Sequence, residues 1–286
     1  MKPKIIVALT GNPNSGKTTI FNELTGARQH VGNYPGVTVE RKEGSCRYGN
    51  AELQVVDLPG TYSLTAYSAE ELVARNFIIE EKPDVVVDII DTSNLERNLY
   101  LAVQLMELGV PLILAFNMSD TAKARGYDLD IEKLSGFFGA HIVQTVGHKG
   151  IGMKELLDTI LTVTEGEEKA QSNRNRLQAD DTRSSQASIR GLSRTVAVNY
   201  GREIEKEIDK IETLLRANGS SIDKYEVRWF AMKLLENDKE MRAGVVSSTV
   251  NEQVETSIAH IEKVLGEPAE TAIAGARYGF ISGVCR

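Results

Sequence analysis

The chain has 286 residues, 41% hydrophobic and 26% charged, with a formal net charge of −7. That length suits one full-sized domain with a smaller companion, and the acidic balance argues against a nucleic-acid binder, which normally carries a basic face. Two distant cysteines (Cys46, Cys285), four scattered histidines and no run near the ~20 apolar residues of a membrane span argue for a soluble protein of a reducing compartment, without a metal cluster.

Residues 5–10 predict a strand, reached with no signal peptide before it. Gly11, Asn12, Pro13, Asn14, Ser15, Gly16, Lys17 and Thr18 then fit G-x-x-x-x-G-K-[ST], and a helix is predicted over 17–24. Strand, glycine-rich turn and helix is the context in which this pattern binds phosphate. Consecutive N–H groups of the turn face the phosphate oxygens, and the helix N-terminus adds positive potential. Lys17 is expected to bridge the β- and γ-phosphates and Thr18 to ligate Mg²⁺, with Thr19 continuing the binding segment.

Strands are predicted at 37–41 and 53–57. Thr38 lies in a loop whose spacing suits a switch that closes on the γ-phosphate, its hydroxyl completing the Mg²⁺ shell; the plain alternative is a loop threonine. Asp57 opens Asp57-Leu-Pro-Gly60, where the carboxylate holds Mg²⁺ through water and the Gly60 N–H reaches the γ-phosphate. That tetrapeptide is a common turn on its own; its place downstream of a P-loop gives it weight.

A helix over 69–81 opens with a capping box of Ser68 and Glu71, a structural reading. Strand 85–91, helix 95–108 and strand 111–118 follow, with Leu95-Glu-Arg-Asn98 read as first-turn structure and helix surface. Asn117-Met118-Ser-Asp120 comes next. An aspartate there accepts from guanine N1–H and N2–H₂, donors that adenine lacks, so Asp120 is the expected base reader. Met118 stands where a lysine stem usually covers the base, and a thioether can still pack on a ring. A helix from 131, a strand at 142–145 and a helix at 153–163 complete an α/β first domain over 1–165. Such alternation implies a mostly parallel sheet with helices on both faces and ligands at the carboxyl ends of the strands.

Residues 166–193 are polar and nearly free of large apolar side chains, and are expected to form a linker or mobile hinge. Such a hinge would let the helical part exchange between chains, as a swapped dimer or other homo-oligomer. The period then changes to 3.6: Ile204, Ile208, Ile211 and Leu215 share one face, Val227, Phe230 and Leu234 a second, Val254, Ile258, Ile261 and Leu265 a third. These predict a small all-helical subdomain over 194–275, with the stripes as core rather than partner groove.

Together these residues resemble the cytosolic N-terminal region of the FeoB-type ferrous iron transporters. The carrying segments are Gly11-Asn-Pro-Asn-Ser-Gly-Lys-Thr-Thr-Ile-Phe-Asn22, Gly32-Asn-Tyr-Pro-Gly-Val-Thr-Val-Glu40 and Val56-Asp-Leu-Pro-Gly-Thr-Tyr-Ser-Leu64. Asp91-Thr-Ser-Asn-Leu-Glu-Arg-Asn-Leu-Tyr100, Asn117-Met-Ser-Asp120, Tyr200-Gly-Arg-Glu-Ile-Glu and Ala276-Arg-Tyr-Gly-Phe-Ile281 join them. The resemblance implies a Ras-like P-loop G domain, then a helical subdomain that restrains nucleotide release, with 276–286 as the start of a connection to membrane helices. It implies slow, Mg²⁺-dependent hydrolysis of GTP to GDP, acting as the switch of Fe²⁺ uptake at the cytoplasmic face of the bacterial inner membrane. The implied partners are guanine nucleotide and the protein's own membrane domain, not nucleic acid.

Asn14 matches the asparagine that ligates K⁺ in potassium-stimulated members, where the cation replaces an arginine finger. Thr61 stands where Ras-type proteins keep a water-orienting glutamine. The fifth motif, usually Ser-Ala followed by a basic residue, aligns with Val146, Gly147 and His148; Gly147 keeps an N–H for the guanine O6, while Val146 lacks the bracing hydroxyl. The alternative register places Thr145 and Val146 there. A soluble ribosome- or RNA-associated GTPase is the competing expectation, and the acidic balance of the helical part counts against it.

Overall fold

The computed structural model describes residues 4–26, 28–65, 67–180, 198–217 and 226–285, and within 167–180 the backbone alone. Its first part alternates strand and helix: β1 (Lys4–Gly11), α1 (Lys17–Thr25), β2 (Gln29–Asn33), β3 (Glu40–Tyr48), β4 (Ala51–Asp57) and α2 (Ala69–Glu81). It continues through β5 (Val85–Asp91), α3 (Leu95–Glu107), β6 (Leu112–Asn117), α4 (Ser119–Ala124), α5 (Ile131–Phe138), β7 (His141–Gln144) and α6 (Met153–Asp180). The seven strands lie in the order β2-β3-β4-β1-β5-β6-β7. Five of them, from β4 to β7, run parallel, and β3 and β2 complete the sheet antiparallel. The expected α/β class with a mostly parallel sheet is the class found.

Side-chain alternation splits the sheet into two apolar faces, as a period of two requires. Val7, Leu9, Val87, Ile89, Ile113 and Ala115 meet Ile20 and Phe21 of α1 and Leu156 and Ile160 of α6. Ala8, Val86, Ile90, Leu114 and Phe116 turn to the other face and join α2 and α3. The β3–β4 hairpin closes in two residues, with Gly49 at φ 56°, a position where glycine avoids the strain a side chain would bring.

Two strand expectations are corrected. The strand expected at 37–41 begins at Glu40, and β2 was not foreseen. Their polar sequences carry no apolar alternation, and pairing holds them instead: Val31 opposite Lys42, Gly44 opposite Val55.

The second part is helical: α7 (Arg202–Ala217), α8 (Val227–Leu235), α9 (Lys239–Ala243), α10 (Ser248–Leu265) and α11 (Ala269–Val284). The Ile204, Ile208, Ile211 and Leu215 stripe is buried, as are Phe230, Leu234, Val254 and Ile261; Leu265 is exposed. This core is continuous with the α2/α3 face of the sheet.

Two boundaries move as well. Residues 166–180, expected in the linker, extend α6, because Glu, Lys, Ala, Gln and Arg favour helix even without an apolar stripe; 181–193 lie outside the described residues. Residues 276–284, expected to begin a connection, are the second half of α11, docked on the first part. Tyr278 stacks on Tyr100 at 4.8 Å, Phe280 meets the Phe138 edge at 6.0 Å, and Arg277 is fully buried. Among the described residues, no helix is long and apolar enough to cross a membrane.

Candidate functional site

Three loops meet where the parallel strands end. The first follows β1, its course set by left-handed positions: Asn14 at φ 68° and Gly16 at φ 90°. Gly16 is also sterically required, since a Cβ there would lie 2.2 Å from the Asn117 Nδ2. Gly16 caps α1 without a side-chain acceptor, so the first N–H groups of the helix are not closed off by a cap. The Ser15 hydroxyl and the Asn12 Oδ1 are buried without a hydrogen-bond partner among the described residues. Backbone donors, a helix N-terminus and an ammonium at Lys17 suit a phosphate chain.

The Lys17 ammonium pairs directly with the Asp57 carboxylate, both side chains largely buried. The residue expected on phosphate and the one expected on Mg²⁺ therefore share one spot, where the charge of each is compensated. Thr18 is exposed beside Lys17, as are Asn14 and Pro13 on the turn, and Thr19 is half-buried. Thr18 and Asp57 offer hard oxygen donors that fit Mg²⁺. Thr38 does not join them: it is exposed in the β2–β3 connection, and among the described residues no hydrogen bond links it to Lys17, Thr18 or Asp57. That connection is pinned at its base, where the Tyr34 N–H donates to the Val39 carbonyl (2.9 Å) and both side chains are buried.

The segment after β4 is tied to the P-loop strand. Leu58 N–H donates to the Leu9 carbonyl (3.0 Å) and Thr61 N–H to the Gly11 carbonyl (3.2 Å). Between them Gly60 sits against Pro13, where a Cβ would come within 3.4 Å of the Pro13 backbone. Ser68 and Glu71 form the expected capping box at α2, and Glu71 also accepts from the Ser63 and Thr65 hydroxyls.

The third loop follows β6, and Asn117 is its hub. Its Nδ2 donates to the Ser15 carbonyl (2.9 Å), and its Oδ1 accepts from the Gly147 N–H (2.9 Å) and the Thr145 hydroxyl (3.2 Å). One buried amide thus joins the phosphate loop to the loop after β7. Met118 is left-handed at φ 57°, and its Cε lies 3.9 Å from the position a Cβ of Gly16 would take, which puts the thioether beside the P-loop turn. Asp120 is half-exposed at the start of α4. Its Oδ2 accepts from Lys149 (2.7 Å) and its Oδ1 from the Thr121 N–H (2.9 Å). The Lys149 hydrogen bond holds its carboxyl below the ordinary carboxylate range.

In the fifth motif, Val146 is buried and bridged to Ile151, and Gly147 opens a 3-10 turn. The Thr145 hydroxyl makes the bracing bond that Val146 cannot, while the Gly147 N–H expected to face a base donates to Asn117 instead.

Three participants are tertiary and were not foreseen: Lys149 on Asp120, the Arg97 carbonyl on the Asn12 Nδ2 (3.3 Å), and Asp88 beneath the P-loop. Asp88 is fully buried on β5 with the Thr10 hydroxyl on one oxygen (3.1 Å), and burial pushes its carboxyl up to about 7.

The family model of ferrous iron transport protein B matches residues 5–160, and that of the FeoB cytosolic helical domain matches 200–286. The Fe(2+) transport protein A/Fe(2+) transporter FeoB fusion protein of Porphyromonas gingivalis is 40% identical over 99% of this chain and 32% of its own length. The Fe(2+) transporter FeoB of Salmonella typhimurium is 37% identical over 99% of this chain and 33% of its own length. The chain therefore spans about a third of the curated relatives it matches. Among solved structures, an S. thermophilus NFeoB variant bound to mGDP superposes with TM-score 0.81 at 34% identity, over 99% of this chain and 98% of that one. The cytosolic domain of the T. maritima FeoB iron transporter in apo form gives 0.76 at 31% identity, over 98% and 97%.

Proposed function

The chain belongs to the ferrous iron transport protein B family, of which it carries the N-terminal G domain and the cytosolic helical domain, and on that premise we propose that it binds GTP and GDP and hydrolyses GTP slowly. In the longer protein it acts as the switch of Fe²⁺ uptake, at the cytoplasmic face of the bacterial inner membrane and against the protein's own membrane domain. The observation that supports this best is the Asn117 amide, which locks the phosphate loop at Ser15 to the loops that carry Asp120 and Gly147. A base and a triphosphate can be held at once only if those loops keep a fixed separation.

The P-loop N–H groups bind the phosphates, and Lys17 exchanges its Asp57 partner for phosphate oxygens. Asp120 accepts from the two guanine donors while Met118 packs on the ring. Thr18 and Asp57 are the residues that would hold Mg²⁺, joined by Thr38 when its exposed loop closes, and the ion would supply neutralising charge to the phosphates. Asn14, exposed on the turn, is the residue that would hold K⁺. Thr61 is buried in the place of a water-orienting glutamine, with its N–H engaged by Gly11. Thr61 lacks the carboxamide that would orient water, so turnover is slow and rests on electrostatic stabilisation. Binding of fluorescent GDP and GTP, competed with ATP, together with phosphate release, tests the reading. Micromolar or tighter guanine binding that excess ATP does not displace supports it; equal affinity for ATP refutes it.

A further inference from the structure

Arg97 lies in Leu95-Glu-Arg-Asn98 on the first turn of α3, a segment whose side chains the nucleotide site above does not use. It touches that site from both ends of its own structure. Its carbonyl accepts from the Asn12 Nδ2 at 3.3 Å, and Asn12 is a P-loop residue only 3% exposed. Its guanidinium lies 4.3 Å from the centroid of the Tyr62 ring. Tyr62 follows Gly60 by two residues, on the segment whose N–H is assigned to the γ-phosphate.

That segment is tied by backbone at Leu58 and Thr61 and again at Leu64, whose N–H donates to the buried Gln104 Oε1 (2.6 Å). Between Thr61 and Leu64 the chain faces a cavity of about 790 Å³ toward α8 and α11. Tyr62 is 42% exposed there, and the Arg97 stack is what fixes its ring.

We propose that Arg97 is a positioning residue for GTP hydrolysis: one residue clasps the P-loop through its carbonyl and the Gly60 segment through its guanidinium, and so sets the distance between them. This rests on the GTPase reading above. Loss of the side chain frees only the Gly60 segment, on the γ-phosphate side, because the backbone carbonyl of residue 97 stays on Asn12. Loss of the guanidinium therefore slows hydrolysis and leaves GDP binding alone. An exposed cation–π contact is a small one, so the expected change is about two- to fivefold.

The test uses the whole 286-residue chain and measures kcat and KM for GTP by phosphate release and Kd for a fluorescent GDP analogue. Arg97→Ala and Tyr62→Leu should each lower kcat by that factor with the GDP Kd unchanged. Tyr62→Phe, which keeps the ring, should retain the rate, and the double variant Arg97→Ala/Tyr62→Leu should be no slower than either single one. Arg97 is exposed, so its loss leaves the fold intact. An Arg97→Ala chain that turns over like the parent overturns the proposal. So does a GDP affinity that falls in step with kcat, or a double variant whose loss is the product of the two. A parent chain that hydrolyses no GTP sinks the underlying reading instead, and the two failures are told apart by that control.

Discussion

Asp120 is held by two donors from the protein, Lys149 and the Thr121 N–H, one on each oxygen, which leaves further lone pairs on both. On the proposed function, an acceptor held in this way selects a base by what the base can donate. Replacing it with an amide turns one acceptor into a donor, which suits the extra carbonyl of xanthine. Asp120→Asn should lower GTP affinity by roughly a hundredfold or more, as expected where a group that pairs with the base is left unmatched, and should raise xanthosine triphosphate affinity in the same competition assay. Asp88 gives a different expectation. Its folded pKa of about 7 lies above the ordinary carboxylate value, so the native state keeps a proton that the unfolded chain has lost. Stability then falls as pH rises from about 4 to about 7 and is flat above that. Asp88→Asn is neutral at every pH and should add on the order of 2–4 kcal/mol at pH 8 and little at pH 4, read by urea unfolding. The motif residues were legible because glycine spacing encodes a backbone shape that phosphate requires. Lys149, Arg97 and Asp88 were not, since each owes its part to a partner distant in sequence or to burial that only the folded chain defines.

The helix α11 is fastened to α3 and α8 by charge at a depth where charge is costly. Arg277 is fully buried, donating to Glu107 (2.9 and 3.1 Å) and pairing with Glu236. Burial works to raise the Glu236 carboxyl, but Lys233 and Arg277 outweigh it and hold it down at about 2. That contribution is present above the unfolded value near 4 and is lost as pH falls through about 2. Arg277→Met would leave two nearly buried carboxylates with their other partners only in part compensating, Tyr200 on Glu107 and Lys233 on Glu236, at a cost of up to about 3–5 kcal/mol. Its urea midpoint should drop accordingly at pH 7, and the deficit should shrink as pH falls, because a buried carboxyl that has lost its arginine takes up a proton in the native state. A midpoint within error of the parent would show that α11 is held by its apolar contacts alone. The stripes of α7, α8 and α10 could be read from spacing because a 3.6 period needs only sequence. The second half of α11 could not: its anchor is a single arginine whose two partners lie 170 and 41 residues away. The helical course of 166–180 was hidden for another reason, since the same polar residues suit a linker and an exposed helix.

Across the whole molecule, one apolar cluster runs from the α2/α3 face of the sheet into the helical part. Buried Arg75 of α2 adds a charged tie, donating to Asp238 at 2.6 Å and pairing with Glu240. The helix that follows the Gly60 segment is thus gripped by the unit that leads to α11. At this scale exposed Asn14 bears on turnover: K⁺ in place of Na⁺ should raise phosphate release several-fold, and Asn14→Ala should erase the difference while GDP binding persists. Equal rates in both salts for the parent chain would leave Asn14 without an ionic role. The Asn117 amide carries a last consequence, which concerns time. Because one side chain already spans the loop after β1, the loop after β6 and the turn after β7, those three loops are set relative to one another before any ligand arrives, whatever Thr38 and the Lys17–Asp57 pair must do afterwards. Little ordering of those loops is left for binding to perform, and association should run at an ordinary diffusional rate for any purine nucleotide that fits. Differences among nucleotides, and among variants of the three loops, should then show in how long each complex lives and scarcely in how fast it forms.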